Sequence, residues 1–93
     1  MNSKHRIITV MNELFQRLDS AEKHIVQVKN KVARRDLLKM VRAVDQAIVA
    51  ADMESVECRR MRRETSRYKE LVQKVTDLLT NLEQHITLAH LLG

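Results

Sequence analysis

Residues 52–67 read DMESVECRRMRRETSR, and the fold turns on whether this stretch is helix throughout or holds a chain reversal. Its only large apolar side chains are Met53, Val56, Cys58 and Met61. Even so, a seven-residue spacing crosses it without a slip. Leu37, Val44, Ala51, Cys58, Thr65, Val72, Leu79 and Ile86 form one series, with Met40, Ala47, Glu54, Met61, Tyr68, Val75, Leu82 and Ala89 as its companion. A heptad seam of this kind exists to be covered by another helix. The unbroken phase, with no turn residue to stop it, favours one helix over about 36–91, roughly 80 Å long at 1.5 Å per residue. The thin middle supports a second reading, a break near Glu64-Thr65-Ser66. That break gives helices over about 3–33, 36–63 and 66–91, the matched lengths of a three-helix bundle. Glu54 stands out in either case: a charge at a seam position costs stability while setting register or partner choice, or else the helix is unpaired there or the chain turns nearby.

Upstream, Ile7, Met11, Leu14, Leu18, Ala21, Ile25, Val28 and Val32 alternate steps of four and three. Ile8 and Phe15 widen this apolar face beyond a strict coiled-coil seam, which suits packing in a bundle. The register slips at Ala33-Arg34-Arg35-Asp36, where Arg35 and Lys39 occupy the positions due for apolar residues. A turn is expected there, with Asp36 as N-cap of the next helix and Arg34 and Arg35 at the C-terminal end of the first.

Composition agrees with helix. The 93 residues include no Pro and only Gly93, and the only aromatic side chains are Phe15 and Tyr68. Strand-rich folds lean on Gly turns and aromatics, whereas good helix formers dominate here. The expected fold is all-α: a single domain over 1–93, built as a helical hairpin with a long second helix or as a three-helix bundle, with coiled-coil-like packing and dimerisation. The lone Cys58 excludes an internal disulfide and fits a reducing compartment. Neither a membrane-spanning stretch nor a secretory leader can be read, so a cytoplasmic location is expected.

The net charge of +5 is laid out in blocks. Residues 1–35 sum to +5, 36–58 to −3, 59–69 to +5 and 70–93 to −2. Such blocks invite plus-against-minus pairing of helices at screened surface energies. The densest cluster is Arg59, Arg60, Arg62, Arg63, Arg67 and Lys69. The Arg guanidinium is a planar fork that grips carboxylate or phosphate, so this cluster is the candidate site for an anionic partner. An acidic protein surface ranks ahead of nucleic acid: Glu64 sits inside the cluster, no Asn is near to read bases, and no aromatic side chains interleave for stacking. An anionic membrane ranks below both, since the apolar face around 59–69 is thin.

If the second helix is long, its distal half must find a second chain. Leu71, Val72, Val75, Leu79, Leu82 and Ile86 are then the anchors for a homodimer or a helical protein partner. Chemistry has little foothold. His5, His24, His85 and His90 show no three- or four-residue spacing, so no metal site is expected. Cys58 reads as small core filler rather than a reactive thiol. Without a phosphate-binding loop, a nucleophile beside a base or a buried carboxylate pair, no catalytic activity and no cofactor are expected. The sequence therefore reads as a protein–protein interaction module such as an assembly subunit, adaptor or chaperone, with a small dimeric nucleic-acid-binding protein as the alternative.

Overall fold

In a computed structural model that describes residues 3–92, the chain folds into three helices packed along one another: α1 (Ser3–Ile25), α2 (Lys31–Met61) and α3 (Ser66–Leu92). Helix α2 packs against both of the others, most extensively against α3. The result is a short rod measuring 47 × 20 × 15 Å. Among the described residues there is no strand, and no helix is long and apolar enough to cross a membrane.

The expected continuous helix over 36–91 does not form. Helix α2 stops at Met61, and Arg62 adopts the left-handed conformation with φ 58° and ψ 35°. The Arg62 amide donates to the Arg59 carbonyl (3.3 Å) and the Arg63 amide to the Cys58 carbonyl (3.1 Å). These paired bonds close a helix C-terminus without glycine, and the next residues start a new helix. Thr65 is the N-cap of α3: its hydroxyl oxygen accepts the Tyr68 amide at 3.1 Å. The break near 64–66 is thus the one that forms, and the three-helix bundle replaces the long hairpin.

The first turn also falls elsewhere than expected. Helix α1 ends at Ile25 rather than near Ala33, and the chain reverses through 26–30. Asn30, not Asp36, caps α2, its side-chain oxygen accepting the Val32 amide (2.9 Å) and the Ala33 amide (3.0 Å). The Arg34 guanidinium donates to the Val28 carbonyl at 3.0 Å and ties the turn to the helix it starts. Val28 still fills the core from outside any helix, whereas Val32, the last member of the upstream seam, is 58% exposed.

One apolar core runs the length of the rod. Ile7, Met11, Leu14, Leu18, Ala21 and Ile25 line α1, all buried at the expected steps of four and three. On α3 the buried row is Tyr68, Val75, Leu79, Leu82 and Ile86. On α2 it is Leu37, Val41, Val44, Ile48, Ala51, Ser55 and Cys58, joined by Ala47. The second α2 row is thus Val41, Ile48 and Ser55, one residue on from the companion series expected from the heptad count. Ser55, the buried polar member, donates its hydroxyl proton to the Asp52 carbonyl. Bonding back into the preceding turn satisfies a hydroxyl that would otherwise cost the core about 1–3 kcal/mol.

Candidate anionic-partner interface at one end of the bundle

The α2–α3 turn changes what the Arg cluster is. On one continuous helix, residues 59–69 would spread over several faces. With the chain reversed at Arg62, they sit at a corner where α2 ends and α3 begins. The N-terminus of α1 joins the same end, because Arg6 pairs with Glu64 at 3.3 Å. Residues 3–6 and 57–70 together carry Lys4, Arg6, Arg59, Arg60, Arg62, Arg63, Arg67 and Lys69 against Glu57, Glu64 and Glu70, a net +5 that equals the charge of the whole chain. The remainder of the molecule is formally neutral. The N-termini of α1 and α3 bring partial positive charge to this end and the C-terminus of α2 partial negative charge, a small positive balance.

The six cluster residues take different positions. Arg60, Arg62, Arg63, Arg67 and Lys69 are exposed. Arg60 is engaged by Glu57 one turn back (2.5 Å), a contact of little weight at an exposed site. Arg67 lines the α2–α3 groove beside Glu54 and Glu57. Arg59 is set apart: it is half-buried in the α1–α2 cleft with Asp52 and Ser55, and its Nε is buried without a hydrogen-bond partner among the described residues. Lys4 and Arg6 belong to this end and were not part of the sequence-derived set. The basic block at 1–35 is their only trace in the sequence, and nothing in the sequence reveals the Arg6–Glu64 pair.

Beneath the basic end lies a small polar knot. Thr65 donates its hydroxyl proton to Glu54 Oε1 (3.0 Å) while accepting the Tyr68 amide (3.1 Å). Its single proton being committed, the Cys58 thiol at 3.5 Å is the donor in their contact. Cys58 is fully buried, so its place is in the core as expected. Tyr68 is buried with its hydroxyl unpartnered among the described residues. Burial pushes its phenol up to about 12, with Glu64 and Cys58 adding to the shift and Arg6 opposing it.

The proposed partner anchors on α3 are already covered. Val75, Leu79, Leu82 and Ile86 are buried against α1 and α2, and Leu71 and Val72 are partly buried at the edge of the same core. The break at Arg62 explains this: folding α3 back supplies within one chain the cover that the long-helix reading sought in a second. Sequence periodicity also misses Arg17, which forks onto Glu83 through Nε–Oε2 (3.1 Å) and Nη2–Oε1 (2.6 Å), with Thr80 at 3.3 Å, and so clamps α1 to α3. The Glu83 hydrogen bond raises the Arg17 guanidinium above its usual value, against a smaller desolvation effect. Near the opposite end, His24 and His90 share a cleft of about 280 Å³ with Arg17, Ser20 and Glu83, and His90 Nε2 lies 3.1 Å from the His24 carbonyl. Among the described residues, no group of three or more His, Cys, Asp or Glu side chains is arranged to hold a metal ion. No family model matches the sequence, and comparison with curated proteins and with solved structures finds no match.

Proposed function

We propose that this chain is a non-catalytic helical interaction module, an adaptor or assembly subunit, that docks an acidic protein surface onto the basic end of its bundle. The observation that carries this reading is the gathering of the whole net charge of +5 at one end by the α2–α3 turn together with the first turn of α1. Exposed Arg62, Arg63, Arg67 and Lys69 supply the grip, and none of the intrachain ion pairs among the described residues uses them. A surface that concentrates positive charge speeds encounter with an acidic partner and selects against basic ones.

The interleaved carboxylates favour protein over nucleic acid. Glu57, Glu64 and Glu70 would repel a phosphate backbone, whereas a mixed-charge protein surface can pair with both signs. The end of the rod is also small, some 20 × 15 Å, and Tyr68, the nearest aromatic, is buried where no base could stack on it.

The test is fluorescence anisotropy with two probes, a labelled Glu/Asp-rich peptide and a duplex DNA, each titrated with the full chain over a salt series. The expected result is saturable binding of the peptide that weakens with salt. The quadruple substitution Arg62→Ser, Arg63→Ser, Arg67→Ser and Lys69→Ser should abolish it while leaving the circular dichroism spectrum unchanged. Preferential DNA binding with a salt slope of several ions would replace this reading with the nucleic-acid one. Binding to neither probe would remove both.

A further inference from the structure

Helix α2 has a second row of apolar side chains on its outer face, outside the core, with Met53 bordering the α2–α3 groove. Val49, Met53 and Val56 lie at steps of four and three and are 54%, 70% and 53% exposed. Single exposed apolar residues need no explanation, but three in register on one face, on a helix whose other side is already packed, do. Continuing the row by one turn in each direction reaches Asp45 and Arg60, both exposed. The row 45, 49, 53, 56, 60 is therefore charged at its two ends with opposite sign and apolar between them.

That pattern is complementary to itself. We propose that the outer face of α2 is the docking surface for a second copy of this chain, packed antiparallel about a two-fold axis between residues 52 and 53. In this register Val49 of each copy lies opposite Val56 of the other, the two Met53 side chains meet beside the axis, and Asp45 of each copy faces Arg60 of the other at both ends. A parallel, in-register pair would set Asp45 against Asp45 and Arg60 against Arg60. An antiparallel pair shifted to centre on residue 51 would set Arg42 against Arg60. Within the helical overlap charge thus favours this arrangement over the other two, Arg42 facing only Arg63, which lies past the end of α2. Asp45 has no ion pair within the chain among the described residues, and Arg60 meets only Glu57 on its own helix, so both are available.

The overlap runs over residues 45–60, about 24 Å of helix at 1.5 Å per residue. It buries on the order of 1,000 Å², at the lower edge of specific interfaces, which makes this a reversible dimer rather than an obligate one. Met at the centre suits such a contact, being unbranched and able to fill an irregular gap. Arg60 is the residue this pairing shares with the basic end; residues 62, 67 and 69 take no part in it, and Arg63, beyond the last residue of α2, lies at its margin.

The experiment is sedimentation velocity on the full chain from about 5 to about 500 μM, a range that brackets dissociation constants of weak dimers. The mass should rise from monomer toward dimer with concentration. Met53→Glu with Val56→Glu should hold it at monomer with an unchanged melting temperature, since both side chains are exposed. Asp45→Arg alone and Arg60→Asp alone should each weaken the dimer at least tenfold, and the two together should restore it. Disulfide capture fixes the orientation: a mixture of Val49→Cys and Val56→Cys chains should cross-link between the two variants, with buried Cys58 not competing. A monomer at every concentration, a dimer indifferent to these substitutions, or cross-linking of Val49→Cys to itself would each overturn the proposal. A monomer that still binds the acidic peptide would overturn it while leaving the proposed function standing.

Discussion

The Thr65 hydroxyl bridges two helices: it donates to Glu54 Oε1 on α2 at 3.0 Å and accepts the Tyr68 amide of α3 at 3.1 Å. The carboxylate that looks misplaced on the apolar seam of α2 is thus a partner of the cap that starts α3. Removing the cap with Thr65→Ala should cost about 1 kcal/mol, and Thr65→Ser should recover most of it. Glu54→Leu is the sharper experiment. If position 54 were simply an ill-filled core site, leucine would stabilise the protein. Here it should destabilise it, because Thr65 loses its acceptor. Chemical denaturation of the two single variants and the double variant reads the coupling between them.

Arg62 holds a left-handed conformation at φ 58° without being glycine. A side chain there carries a penalty of roughly 1 kcal/mol that glycine avoids. Arg62→Gly should therefore raise the melting temperature by a few degrees despite deleting a charge-bearing side chain. A lower melting temperature would mean that the Arg62 side chain contributes to folding through contacts of its own.

Tyr68 is the only tyrosine in the chain, so its ionisation can be read directly by absorbance. In the folded protein the phenol is pushed up to about 12 from its ordinary 10.0, chiefly by burial. The folded state therefore holds its proton where the unfolded state has lost it. The associated stability is complete below about pH 10, declines as pH rises, and is gone above about pH 12. Native protein at pH 11 should show little phenolate, while denatured protein titrates near 10. Tyr68→Phe removes a buried hydroxyl with no partner among the described residues, so stability should stay level or rise slightly. A loss of more than about 1 kcal/mol would mean the hydroxyl is bonded after all.

Leu79 and Leu82 are fully buried in the chain's own core. Leu79→Ala should cost about 2–5 kcal/mol, and Leu79→Asp should unfold the chain. Loss of an intermolecular association with the helical signal intact would contradict their placement inside the bundle.

Much of this was legible in the sequence. The buried row of α1 from Ile7 to Ile25 follows the four-and-three steps throughout, and the row of α3 from Val75 to Ile86 does the same. Periodicity reports which face of a helix is covered; it does not report by what. The rows of α2 and α3 keep one phase across the turn, since Cys58 and Val72 are separated by two heptads whether or not the chain reverses between them. The reversal itself is made by backbone hydrogen bonds around an arginine, which leave no mark that a glycine would have left. The earlier turn did carry a signal: Asn30 is a strong N-cap, but continuing the heptad count through Val28 and Val32 hides it. Gathering charge from α1, α2 and α3 into one basic end is a property of the tertiary fold. Only its contiguous part, residues 59–69, could be read in advance.

The basic end exists only because α3 folds back along α2. Spin labels at Arg35→Cys and His90→Cys, both exposed and near the same end of the bundle, measure this by pulsed electron–electron dipolar spectroscopy, with Cys58 replaced by Ala. A distance well within the 47 Å long axis, about 25 Å or less, is the expected result. A continuous helix through residues 62–65 would put the labels roughly 80 Å apart at 1.5 Å per residue, and a distance near that value would contradict the closed bundle and the basic end it creates.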